Sequence, residues 1–279
     1  MTIATPRYAL SDAASRPRIE RVWTIFAENT RIRGLRVGPL LLVGFGFTAT
    51  FVPLLLSELL ANYGLFGAPQ LSTFYEAYQS PMLLIFAMLM SAVVGAGIVA
   101  DDLRTKAISL YLSRPLTVLD YLVGKSGVVA LLLAMLAILP GVLTALIVGL
   151  LGYVPADVAA TAALVFLGVG ALTVLTFTGV AVLLSTLTDR KSFAGAGIFA
   201  FLFSIEIVSL ILASATGNLS FEYLSPWEDI LAVAQLGFQY PSYVPVISGY
   251  VGLTVLLALI PVLFLLSYVR LSRLEVVTD

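Results

Sequence analysis

The chain has 279 residues, of which 60% are hydrophobic and only 11% charged, with a net charge of −1 and neither His nor Cys. A soluble domain carries about 25% charged residues, so this chain has too few to cover a water-facing surface and reads as an all-α polytopic membrane protein. Without His or Cys, imidazole and thiolate metal sites, disulfides, thiol catalysis and every Ser–His or Cys–His mechanism are excluded, and no basic field invites nucleic acid.

The N-terminal tail, residues 1–37, lacks the early apolar core of a signal peptide. Within it, Ile19, Val22, Trp23 and Phe26 fall at i, i+3, i+4 and i+7, one face of a helix. Arg18, Arg21, Glu28 and Arg31 make the segment too charged to cross a bilayer. It predicts an amphipathic helix in the inner headgroup layer, basic residues toward anionic lipid; the plainer alternative is a topogenic basic tail.

Six continuous apolar stretches follow, at about 38–60, 81–100, 126–151, 159–187, 193–214 and 247–269, each near the roughly 20 residues that a spanning helix needs. Residues 38–279 therefore read as one six-span transmembrane domain. Arg7, Arg16, Arg18, Arg21, Arg31, Arg33 and Arg36 precede the first span. Arg104, Lys106, Arg114 and Lys125 separate spans two and three, Arg190 and Lys191 separate spans four and five, and Arg270 and Arg273 follow span six. All 15 basic residues fall on one side, and the other carries Glu58, Glu76, Asp157, Glu222, Glu228 and Asp229. The positive-inside rule then predicts a multi-pass cell-membrane protein with both termini cytoplasmic. Tyr63, Phe66, Phe74, Tyr75 and Tyr78 on the acidic side, with Tyr223, Trp227, Tyr240 and Tyr243 before span six, read as an interfacial aromatic belt.

The segment 99–125, VADDLRTKAISLYLSRPLTVLDYLVGK, is the most informative. Asp101 and Asp102 read as the acidic start of a short inner helix, with Lys106 four residues after Asp102. Ile108, Tyr111 and Leu112 give it a small apolar face, Arg114-Pro115 ends it, and Thr117 with Asp120 forms a capping box that opens span three. An apolar face pointing into the cytoplasm calls for a partner. Gly124-Lys125-Ser126 looks like the end of a P-loop, but the motif needs Gly where Leu119 stands, so no nucleotide site is read here.

Pro140-Gly141 in span three and Pro261 in span six predict kinks. Span four, with Thr173, Thr176, Thr178, Gly168, Gly170 and Gly179, is built for close packing or, alternatively, a hinge or groove. Glu206 is read as the ionisable residue nearest mid-span, a candidate for the substrate path or for an interhelical or dimer contact. Glu58 is expected to snorkel to the outer surface. Ser225-Pro226-Trp227-Glu228 opens an outer helix at about 225–236, with Trp227, Ile230, Leu231 and Ala234 on one face. Asn218-Leu219-Ser220 matches a glycosylation sequon.

The run from Asp101 and Asp102 through Leu110, Leu112, Ser113-Arg114-Pro115-Leu116-Thr117, Tyr121-Leu122 and Gly124-Lys125 resembles the membrane subunits of exporter-type ABC transporters. That class includes drug, polysaccharide and lipid exporters and the permease of nitrous-oxide reductase maturation. The layout agrees: an inner amphipathic helix, six spans, and a short outer helix opened by Leu224–Glu228. The Gly-rich turn that many members carry near Arg104–Lys106 is absent. The resemblance implies a permease with no cofactor of its own, ATP and Mg being held by a separate cytoplasmic ATPase subunit. Two copies would pair as a homodimer, each docking one ATPase through a coupling loop within 101–125. The residues carried over to that contact are Asp101, Asp102, Arg104, Ile108, Tyr111, Leu112, Arg114 and Pro115. A non-transporting force or signal subunit and a secondary transporter are the competing readings; an intramembrane enzyme would need convergent acids, nucleophiles or metal ligands.

Overall fold

The computed structural model describes residues 17–63, 70–107, 116–241 and 247–276, with side chains given to residue 273 apart from that of Asn62. Among the described residues the architecture is helical, with six helices long and apolar enough to cross a membrane. They are span one (Val37–Ala61), span two (Pro81–Thr105), span three (Val118–Leu150), span four (Ala156–Thr186), span five (Lys191–Thr216) and span six (Gly249–Arg273). A charged N-terminal helix, Arg18–Asn29, precedes them, and a loop helix, Pro226–Gly237, precedes span six.

Burial orders the bundle. Spans two, three and four are 67%, 50% and 44% buried over their most apolar windows, whereas spans one, five and six reach only 17%, 22% and 17%. Span four is the axle, packed against spans two, three, five and six. Its small residues seat its neighbours: a side chain at Gly170 would meet Ile138, and one at Gly179 would meet Leu263. That is close packing of the kind that drives helix association in lipid. The apolar sides of spans one, five and six stay uncovered, with Phe45, Phe203 and Leu265 among the exposed side chains.

Span three starts at Val118, earlier than hydropathy alone suggests, because the Thr117–Asp120 capping box is complete. It breaks at Ile138 (φ −108°) just before Pro140, as the Pro-Gly pair predicts, while Pro261 sits inside an unbroken helix. Span two also outruns its expected end. It continues to Thr105 because no breaker follows the apolar stretch, and stops where Lys106 turns left-handed (φ 55°). Asp101 and Asp102 therefore sit in the closing turns of span two, not at the start of a separate helix.

Within span two, Ser91–Gly95 is a π turn. Below it, Ser185 of span four accepts hydrogen bonds from the Val99 and Ala100 amides at 3.1 and 3.0 Å and donates to the Ala96 carbonyl at 2.9 Å. One hydroxyl thus completes the backbone bonding of the loosened turn.

At the acidic end, the expected belt is replaced by a packed plug. Phe74 and Tyr78, carried on the short turns Leu71–Tyr75 and Glu76–Gln79, are 0% and 1% exposed. They pack on Phe166 of span four and Phe238, while Tyr75 meets Tyr240 at 4.7 Å. Trp227 stacks edge-on against Phe177. Tyr63 alone among these aromatics is largely exposed; Phe66 and Tyr243 lie outside the described residues. Glu58, expected at the surface, is fully buried under this plug and accepts a hydrogen bond from Thr73 at 2.6 Å. A folded segment above it closes its route to water.

Candidate functional site

The residues singled out in the 99–125 segment divide in two. Ile108, Tyr111, Leu112, Arg114 and Pro115 lie outside the described residues. Asp101, Asp102 and Arg104 form the last turns of span two, and Arg104 projects outward.

Two carboxylates at a helix C-terminus face the negative end of the dipole and need cations nearby. The fold supplies them from different elements. Lys125, near the start of span three, pairs with Asp102 at 2.6 Å, both side chains almost wholly buried. Tyr121 donates its hydroxyl to the same Asp102 oxygen at 2.7 Å. The Lys125 ammonium also donates to Asn29 Oδ1 of the N-terminal helix at 2.9 Å. Arg33, in the π turn Thr30–Gly34, pairs with Asp101 at 2.8 Å. On the other flank, Arg18 pairs with Asp120 at 2.5 Å, the carboxylate that completes the span-three cap.

Glycines let the N-terminal helix come this close. A side chain at Gly124 would strike Ile25, and one at Gly127 would strike Phe26. The packed face of that helix is Val22, Ile25, Phe26 and Asn29, rotated from the face that periodicity picks out. Ile19 and Trp23 remain 82% and 64% exposed. Lys125 belongs to no phosphate-binding loop: it lies within a spanning helix, its ammonium already engaged.

The arrangement joins both roots of the segment that follows Lys106 to each other and to the N-terminal helix. The charges are matched and desolvated, so the three elements move together or pay to separate.

At the acidic end, Glu206 makes an interhelical hydrogen bond, one of the contacts its sequence reading allowed. It is half-buried on span five, and Ser225, the N-cap of the loop helix, donates its hydroxyl to Glu206 Oε2. The same Ser225 oxygen accepts from the Trp227 and Glu228 amides at 3.2 and 3.4 Å. Glu228 shares a hydrogen bond with Glu206, and burial, then the Glu206 charge, pushes its carboxyl up to about 8. Burial raises the fully covered Asp229 to about 7. Glu222 is raised too, by burial and by Glu206. Glu206 is therefore a tie between span five and the loop helix.

No curated protein matches the chain. The family model described as ABC-2 family transporter protein matches residues 24–276, from within the N-terminal helix to the end of the helix that carries span six, Gly249–Val276. With its six apolar spans, the chain belongs to the ABC-2 family of transporter proteins and is an ABC transporter permease subunit.

Proposed function

We propose that this permease moves its substrate outward across the cell membrane on energy from a separate cytoplasmic ATPase that docks on the segment beginning at Asp101. The observation that carries the reading is the buried junction of Asp102, Lys125, Tyr121 and Asn29, which couples both roots of that segment to the N-terminal helix. A push on the segment then reaches spans two and three and the N-terminal helix at once. The basic end is the cytoplasmic end in this reading, with ATP and Mg held by the ATPase.

The N-terminal helix lies in the inner headgroup layer, Ile19 and Trp23 providing the apolar surface that lipid covers. Two copies pair through the uncovered sides of peripheral spans, whose low burial supports a further partner. Residues 1–37 act as the tail and interfacial helix, and residues 38–279 as the transmembrane domain with its coupling loop at 101–125 and outer helix near 225–236.

The test is affinity purification of the full chain in mild detergent from its native host. A P-loop ATPase should co-purify in equal amount, and Ile108→Asp combined with Leu112→Asp should release it while the spans stay folded. An intact complex in that variant overturns the docking assignment. Substrate accumulation in vesicles separates transport from a force-transmitting role.

A further inference from the structure

A cavity of about 780 Å³ opens at the basic end between spans two and five. One wall is shared with the coupling segment through Asp101 and Arg104, while the rest comes from residues that junction does not use. Its floor is made of small apolar side chains, Ala92, Val93 and Ala96 from span two facing Gly195 from span five. At Gly195 the two helices nearly touch: a side chain there would come within 3.2 Å of the Ala92 carbonyl. Its rim carries Arg104, Arg190 and Lys191. Among the described residues none of these three takes part in an ion pair. The acidic group on the wall, Asp101, is already neutralised by Arg33. Gly97 makes the convergence possible, since a side chain there would strike the Arg33 guanidinium, the Asp101 carboxylate and the Lys191 stem.

The rim has a second source of positive potential. Span five begins at Lys191 with Arg190 as its N-cap, and no side chain caps its first turn. Arg190, Lys191 and Ser192, which open that turn, line the cavity, so the positive end of the helix dipole lies at its rim. Three cations and a helix N-terminus thus stand above a narrow apolar trough, at the depth where a spanning helix leaves the hydrocarbon. That division, charge at the rim and hydrocarbon at the floor, matches the anatomy of a phospholipid rather than that of a small soluble ion.

We infer that this pocket binds an anionic phospholipid of the leaflet at the basic end, its phosphate headgroup on Arg190, Lys191 and the span-five N-terminus and part of an acyl chain along Ala92, Val93, Ala96 and Gly195. The lipid bridges spans two and five on the side that span four leaves open.

The test uses the full-length chain in detergent, any co-purifying ATPase retained, and reads its melting temperature against added phosphatidylglycerol, phosphatidylcholine or inorganic phosphate. Phosphatidylglycerol should stabilise at concentrations at least tenfold lower than phosphatidylcholine. Arg190→Gln with Lys191→Gln should remove that preference, and Arg190→Lys with Lys191→Arg should keep it. An equal response to the two lipids overturns the assignment, as does a preference unchanged in the Gln pair. Stabilisation by inorganic phosphate matching that by phosphatidylglycerol assigns the rim to a soluble anion and overturns the lipid. Efficient disulfide cross-linking between two copies through Ser192→Cys would put protein on the pocket instead.

Discussion

Lys125 and Asp102 meet at 2.6 Å between consecutive spans, and the same ammonium reaches Asn29 on the N-terminal helix. Removing one partner strands the other without water. Asp102→Asn or Lys125→Met alone should destabilise by roughly 3–5 kcal/mol, and the double variant by less than the sum of the two. Thermal unfolding of the four proteins in one detergent completes the cycle; additive losses would mean the pair is not coupled.

The N-terminal helix sits on two glycines. Gly124→Leu puts a side chain into Ile25 and toward the Val22 carbonyl, so it should lift the helix from span three while the spans stay assembled. Limited proteolysis at Arg21 and Arg31 should accelerate several-fold. If the ATPase remains bound but its hydrolysis no longer responds to the permease, the helix is part of the transmission; if both persist, it is an anchor only.

Glu228 and Asp229 carry raised carboxyl values, about 8 and about 7, so the folded protein holds protons there that the unfolded chain has lost. That contribution is fully present below the ordinary carboxylate range near 4.5 and falls away as pH rises through 7 and 8. Melting temperature should therefore decline between about pH 5 and 8 for these groups, and Glu228→Gln should flatten the decline. Glu206→Gln removes the like charge facing Glu228 and should move the midpoint of the decline to lower pH without dissociating the complex. A profile identical to the wild type in both variants would dismiss the cluster.

Phe166 joins Phe74, Tyr78 and Phe238 in the plug over the acidic end. Phe166→Ala should cost roughly 3–5 kcal/mol, the range for emptying a packed aromatic site. It should also open the way to Glu58, read as faster labelling by a carboxyl-directed reagent.

Hydropathy and charge were enough to find the six spans and the two differently charged ends, because lipid forbids any other bookkeeping of backbone polarity. The caps at Thr117 and Ser225 were legible because each is complete within four residues. Partnerships across elements were not. The pairing of Lys125 with Asp102 leaves no local trace, since nothing near either residue says that they will face each other. Ile25 and Asn29 escaped a periodicity search centred on Trp23, whose bulk is left for solvent or lipid. The aromatics at 74–78 have belt composition, but their burial depends on Phe166, far away in sequence. The end of span two was misjudged where charge begins, because a helix ends at a backbone signal, here the left-handed Lys106, and not at a change in polarity.

The π turn at Ser91–Gly95 sets the angular phase of everything below it. One residue subtends about 100° of a helix, so deleting a single residue in that turn would swing Asp101 and Asp102 about a quarter-turn around the axis of span two. Their carboxylates would then face away from Arg33 and Lys125, and Val99 and Ala100 would lose alignment with Ser185. The extra residue works as an indexing notch: it fixes the compass bearing of the Asp101 and Asp102 carboxylates on span two.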